Sequence, residues 1–235
     1  MGSLPAWRMS LPGRPLTGLT VLVVEDSRFA SEAVRLLCLR SGARIRRADS
    51  LKSATRHLLT YRPAVVIADM GLPDGNGAEL IARIAGAEPR VPVILGLSGD
   101  PDNEAAAMAA GADGFLAKPV ESLAVFQQAI LSVLPAESQP AGPRLLPDDV
   151  ISPDSAALRD DLAHVAEVLS GATDTAAIDY IARFLAGVAR SAHDAPLEQA
   201  ATALARDHEA GRAVAGDLAR ISGLVQDRLA AVGEV

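Results

Sequence analysis

Aromatic residues are scarce, 3% of 235, so the core must be built from Leu, Val, Ile and Ala. There is one cysteine, Cys38, inside the apolar run AVRLLCLR. That excludes an intrachain disulfide and fits a buried, reduced thiol. No stretch approaches the ~18 uninterrupted apolar residues that a membrane-spanning helix needs. Basic residues are also in short supply, 22 Lys+Arg against 29 Asp+Glu for a formal net charge of −7. A chain this acidic is a poor non-specific ligand for nucleic acid, which demands a surplus of cations. The first 18 residues hold three prolines and lack an apolar core segment. They read as a flexible lead-in rather than a signal peptide, with Met9 a second candidate start beside Met1. What is present, 49% hydrophobic and 22% charged residues, is the balance of a globular protein with one large or two small domains.

Two patterns alternate from Leu19 to Leu134. Continuous apolar runs read as strands over 19–25, 63–70 and 91–99, and further short strands are expected at 43–49 and 114–119. Between and after them, helical spacing of apolar residues predicts helices over 28–42, 50–61, 77–86, 101–111 and 121–134, with Ser50 a candidate cap and Gly42 a natural stop. Strands apolar on both faces imply a parallel sheet covered by helices on both sides, an α/β fold. In such sheets function gathers beyond the carboxyl ends of the strands.

The run VLVVEDSR (21–28) poses a problem that this arrangement solves. Four aliphatic residues lead into two adjacent carboxylates, Glu25 and Asp26, and the third strand ends in Asp69. Neighbouring strand ends lie about 5 Å apart, so these three acids converge. Three such charges repel strongly unless something offsets them. A hard divalent cation such as Mg²⁺ takes a few carboxylates together with water and phosphate oxygens. Ser98 and Lys118 end the fourth and fifth strands and add a hydroxyl and an ammonium to the same rim. Carboxylate nucleophile, metal, cation and hydroxyl together suit the holding of a phosphoryl group.

The segments VLVVEDS, VVIADMGLPDGNG, ILGLSG and GADGFLAKP, in this order and spacing, closely resemble the receiver domain of two-component response regulators, over about residues 18–135. The resemblance implies a flavodoxin-like sheet of strand order 2-1-3-4-5. It implies that Asp69 accepts the phosphoryl group. Asp26 would bind Mg²⁺ directly, Glu25 would help through water, and Gly71 would lend its backbone carbonyl. Lys118 would pair with the phosphoryl group, and Ser98 and Phe115 would form the switch pair, here with Phe in place of Tyr. Self-phosphorylation and self-dephosphorylation would be the only chemistry, in a cytoplasmic protein with a sensor histidine kinase or phosphotransfer protein as phosphodonor.

After Leu134 the texture changes. Segment 1–17 is expected to be flexible, 18–135 the receiver, 136–149 a proline-rich linker and 150–235 an all-α bundle or coiled coil. Helical faces carry Leu158, Leu162, Val165 and Leu169, then Ile178, Ile181, Leu185 and Val188. From Leu197 to Val232 a seam spaced by threes and fours runs through Ala201, Leu204, Leu218, Val225 and Leu229, with His208, Gly211 and Ser222 also on it. It reads as one long helix or as a hairpin broken near HEAGRA. Residues 145–235 hold seven arginines and no lysine against fifteen carboxylates, a net charge of −8. The expected output is therefore protein contact with a downstream partner, and a homodimer through the helices is a candidate. The alternatives are a phosphorelay tail, with His164, His193 or His208 phosphorylated although none is followed by Lys-Gly, and, more weakly, a DNA-binding regulator.

Overall fold

A computed structural model describes residues 13–139, 147–171 and 175–232. Both candidate starts and the middle of the linker lie outside the described residues. The chain divides into two compact units, one formed by residues up to Asp26 and Ser31–Ser152, the other by Ser27–Ala30 and the residues from Pro153 onward.

The first unit is the expected alternation. Strands β1 (Thr20–Val24), β2 (Arg44–Ala48) and β3 (Val65–Asp69) alternate with helices α1 (Arg28–Ser41) and α2 (Leu51–Thr60). A small hairpin of β4 (Gly71–Leu72) and β5 (Gly75–Asn76) then precedes α3 (Gly77–Ala85), β6 (Val93–Ser98), α4 (Asn103–Ala109), β7 (Gly114–Ala117) and α5 (Leu123–Leu131). The five long strands form one parallel sheet in the order β2-β1-β3-β6-β7. With the hairpin strands set aside, that is the 2-1-3-4-5 order expected of a flavodoxin-like fold.

Period-2 alternation explains the apolar runs. Val21, Val23, Val65, Ile67, Val93, Leu95 and Leu97 pack on one face with Val34, Leu37 and Cys38 of α1 and Phe126 and Ile130 of α5. Leu22, Val24, Val66, Ala68 and Ile94 pack on the other with Ala54 of α2, Leu80 and Ile81 of α3 and Ala107 of α4. The central strands β1, β3 and β6 are buried on both sides, so neither face needs polar residues, whereas the edge strand β2 exposes Arg44, Arg46 and Arg47. Burial also pushes the Cys38 thiol up to about 12, which makes it an inert core residue.

Helix starts are set by short polar side chains. Ser50 accepts from Ser53 N, Asn76 from Ala78 N and Ser122 from Val125 N. The unit extends past the expected linker. Leu123 N donates to Asp149 O and Ile151 N to Glu121 O, and Ile151 is buried in the sheet's core. At the other end Leu16, which the sequence reading left in the lead-in, is fully buried there too.

The second unit holds α6 (Ser155–Gly171), α7 (Thr175–Ser191), α8 (Ala195–Glu209) and α9 (Ala215–Val232). The contiguous apolar seam is a hairpin. Gly211 adopts a positive φ of 66°, and the chain reverses between α8 and α9. Past the reversal Leu218, Val225 and Leu229 keep their places at the core, but Ile221 is buried where Ser222 was expected and Ser222 is exposed. Leu162, Val165, Ile181, Leu185, Val188, Leu197, Ala201, Leu204, Ile221 and Val225 form one core. The described apolar seam residues thus pack against their own chain as a four-helix bundle. At the α7–α8 corner the Asp194 carboxylate caps α8 through Leu197 N and takes two bonds from Arg228 of α9, at 2.6 and 2.9 Å. The Arg228 bonds hold Asp194 below the usual carboxylate range.

Candidate functional site

The carboxyl ends of β1, β3, β6 and β7 bring the site together. β1 and β3 are adjacent, with Val24 paired to Ala68, so Glu25 and Asp26 emerge beside Asp69, the last residue of β3. Glu25, Asp26 and Asp69 each offer a carboxylate oxygen, and these oxygens lie within 4.8 Å of one another. Glu25 is fully buried, Asp69 is buried and Asp26 is half-buried. β7 delivers Lys118, whose backbone N–H donates to Ser98 O across the β6–β7 edge. Its Nζ stands 2.7 Å from Glu25 Oε2 and 3.0 Å from Asp69 Oδ1.

The electrostatics of this cluster are those of an incompletely neutralised pocket. Burial first, then the Asp69 charge, hold the Glu25 carboxyl well above its ordinary range, with Lys118 pulling the other way. For Lys118, burial alone would weaken the ammonium. The Asp69 and Glu25 carboxylates overcome this and raise it above its usual value. Three acids and one base leave a net negative, oxygen-lined pocket. Its chemistry fits a hard divalent cation of the Mg²⁺ kind. Among the described residues, it is the one group of acids, His or Cys with metal-ligand spacing.

The remaining predicted residues are placed as follows. Gly71 opens the hairpin two residues past Asp69, and a Cβ there would stand 3.9 Å from Asp69 Oδ2. The Ser98 hydroxyl, at the end of β6, accepts from Asp100 N at 3.1 Å and from Asn103 Nδ2 at 3.0 Å. Phe115 pairs opposite Gly96 across the β6–β7 register, and its ring lies over that glycine. An added Cβ on Gly96 would meet Phe115 Cδ2 at 3.0 Å and Ala107 Cβ at 2.7 Å. So Glu25, Asp26, Asp69 and Lys118 are gathered directly, while Ser98 and Phe115 stand on the β6–β7 side toward α4.

Three participants escaped the sequence reading. Arg47 donates to the Asp26 carbonyl at 3.2 Å, Asn103 holds Ser98, and Asp74 bonds the start of α2. Asp74 carried a turn signal in PDG and Asn103 a helix-start signal in PDN, but nothing local marks their partners. The three tail histidines do not converge. His193 lies in the turn after α7 with a φ of 54°, its own N–H bonded to Arg190 O. His208 lies 3.4 Å from Asp179. His164, exposed on α6, has Nε2 3.2 Å from the Tyr180 hydroxyl and its ring edge-on to Phe184.

Residues 21–130 match the family model of the response regulator receiver domain. The chain is 32% identical over 99 residues to the KDP operon transcriptional regulatory protein KdpE of Escherichia coli K12, covering 42% of this chain and 44% of that one. It is 29% identical over 142 residues to the probable transcriptional regulatory protein TcrX of Mycobacterium tuberculosis, covering 59% of each. The chain thus spans about half the length of the curated relatives it matches. Among solved structures, a putative response regulator from Chloroflexus aurantiacus is similar at 32% identity and a TM-score of 0.45, over 48% of this chain and 98% of that one.

Proposed function

We propose that this chain, whose residues 21–130 are a response-regulator receiver domain, takes a phosphoryl group onto Asp69 and relays that state through protein contacts of its helical unit. One observation carries the reading: Asp69 Oδ1 lies 3.0 Å from Lys118 Nζ at the centre of a three-carboxylate cluster. An Asp69 oxygen attacks the phosphorus of a small donor such as acetyl phosphate, or of a phosphohistidine on a sensor kinase or phosphotransfer protein. The new P–O bond forms as the bond to the leaving group breaks, and an acyl phosphate results. Lys118 is placed to follow the charge from the carboxylate onto the phosphoryl oxygens. Asp26, Asp69 and the Gly71 carbonyl would hold Mg²⁺, with Glu25 assisting. When bound, the ion offsets the charge of the carboxylates and the incoming phosphate. Ser98 is the hydroxyl available to bond the added oxygens, once its bonds to Asp100 and Asn103 give way, and Phe115 is its switch partner.

Beyond this transfer and its reversal by water, no catalysis is assigned to the chain. No described helix is long and apolar enough to cross a membrane, and a cytoplasmic site of action fits the phosphodonors named. The output reading rests on the tail's charge of −8 and on a bundle that buries its own apolar seam. The relatives named as transcriptional regulators support the opposing reading, DNA binding. The exposed His164 supports another, a phosphorelay tail. Incubation of the full chain with radiolabelled acetyl phosphate and Mg²⁺ tests the site. The parent is expected to take label and Asp69→Asn to take none; equal labelling of both would defeat the assignment. Acid-labile label on the Asp69→Asn variant, supplied with a phosphorylated kinase, would instead favour the histidine relay.

A further inference from the structure

The acids of this site come from the ends of two paired strands, β1 and β3, so the sheet sets their register. The Gly71 carbonyl comes from the loop after β3, and that loop needs supports of its own. The loop after β3 is the β4–β5 hairpin, in which Gly71 pairs with Asn76 and Leu72 with Gly75 around the turn residues Pro73 and Asp74. Its C-terminal side is fixed tightly. Gly77 N donates to Met70 O, and a Cβ on Gly77 would fall 2.0 Å from the Asp69 carbonyl oxygen. Its tip is fixed by another element. The Asp74 carboxylate accepts from Leu51 N at 2.8 Å with one oxygen and from Lys52 N at 2.9 Å with the other. These are the first two residues of α2. Beside them Gly75, with a φ of 151°, approaches so closely that an added Cβ would meet Leu51 Cδ1 at 2.6 Å.

α2 is not an arbitrary anchor. It follows β2 directly, and β2 ends at Ala48, whose carbonyl accepts the Glu25 N–H at 2.9 Å. The contacts therefore close a ring from Asp69 through the hairpin, Asp74, α2 and β2 back to Glu25. A carboxylate bonding two free N–H groups at a helix start makes charge-assisted bonds aligned with the helix dipole. That is a stiff link for an exposed residue. We propose that Asp74 is a positioning residue for the cation site. It pins the hairpin to α2 and so holds the Gly71 carbonyl against the carboxylates that the ends of β1 and β3 bring together. Asp74 touches neither the cation nor the phosphoryl group, and the proposal rests on the reading of the acidic cluster as a Mg²⁺ site.

Mg²⁺ titration of the full chain by calorimetry, without phosphodonor, tests it. Asp74→Ala is expected to weaken Mg²⁺ binding about tenfold, the lower end of the effect of losing an outer support of a metal ligand. Asp74→Asn, which keeps one acceptor oxygen and the side-chain shape, should recover part of that loss. Ser50→Ala removes a different cap of the same helix, the bond to Ser53 N at 3.2 Å, without touching the hairpin. It should lower thermal stability and leave Mg²⁺ affinity unchanged. Parent-like affinity in both Asp74 variants overturns the proposal while leaving the site's assignment intact. An equal fall in Ser50→Ala also overturns it, because the effect would then belong to helix stability. A parent chain that binds no Mg²⁺ removes the site reading and this proposal with it.

Discussion

At the residue scale, the site is governed by how few charges it has to balance and how deeply they lie. Lys118 lies within bonding reach of both Glu25 and Asp69, and its side chain is 8% exposed against 1% for Glu25. Removing it takes the shared ammonium from two buried acids, whereas removing Glu25 leaves Lys118 paired with Asp69. Lys118→Met is therefore expected to cost about 3 kcal/mol of stability, as breaking a buried pair by deleting one partner does. Glu25→Gln should cost less, about 1 kcal/mol, the net worth of an ordinary hydrogen bond. Urea unfolding of the metal-free protein measures both. The reverse order would mean that the pair is not the main support of the pocket. Gly96 shows the opposite kind of constraint, since its missing side chain is the space in which the Phe115 ring lies.

At the element scale, the lesson is one of phase. The tail's apolar seam reads as continuous from Leu197 to Val232, yet the turn at Gly211 splits it into two helices, and in the second the core runs through Leu218, Ile221 and Val225. Buried Ile221 and exposed Ser222 record the change. Ile221→Ala should destabilise the helical unit by about 2–5 kcal/mol, the range for large-to-small core substitutions. Ser222→Ala should stay within about 0.5 kcal/mol of the parent. Thermal unfolding of the two variants decides between the hairpin and an unbroken helix, for which the two effects would be exchanged. The receiver elements were legible because the central strands alternate between two apolar faces and several helices begin at a polar cap. The β4–β5 hairpin was not, because two-residue strands carry no period to read.

At the scale of the whole molecule, charge divides the chain more sharply than hydropathy does. Residues 145–235 carry the net charge of −8 and the remainder is close to neutral. The full chain, phosphorylated or not, is expected to bind duplex DNA no tighter than about 10⁻⁴ M at physiological salt, the weak end of non-specific binding. Fluorescence anisotropy with a labelled duplex measures this. Micromolar binding with a steep salt dependence would instead place the chain with the regulators whose names its relatives bear.

The four motifs at the strand ends, read in order, were enough to name Glu25, Asp26, Asp69, Ser98 and Lys118, because a parallel sheet can only deliver its strand ends to one edge. Sequence order also determined which strands are buried on both faces and where helices start. Only the tertiary structure decided that Lys118 spans Glu25 and Asp69, that Asp74 ties the hairpin to α2, and that the tail's seam folds back on itself. Each of those depends on the meeting of groups far apart along the chain. Local pattern records what a residue prefers, but the partner it finds is set by strand order and packing.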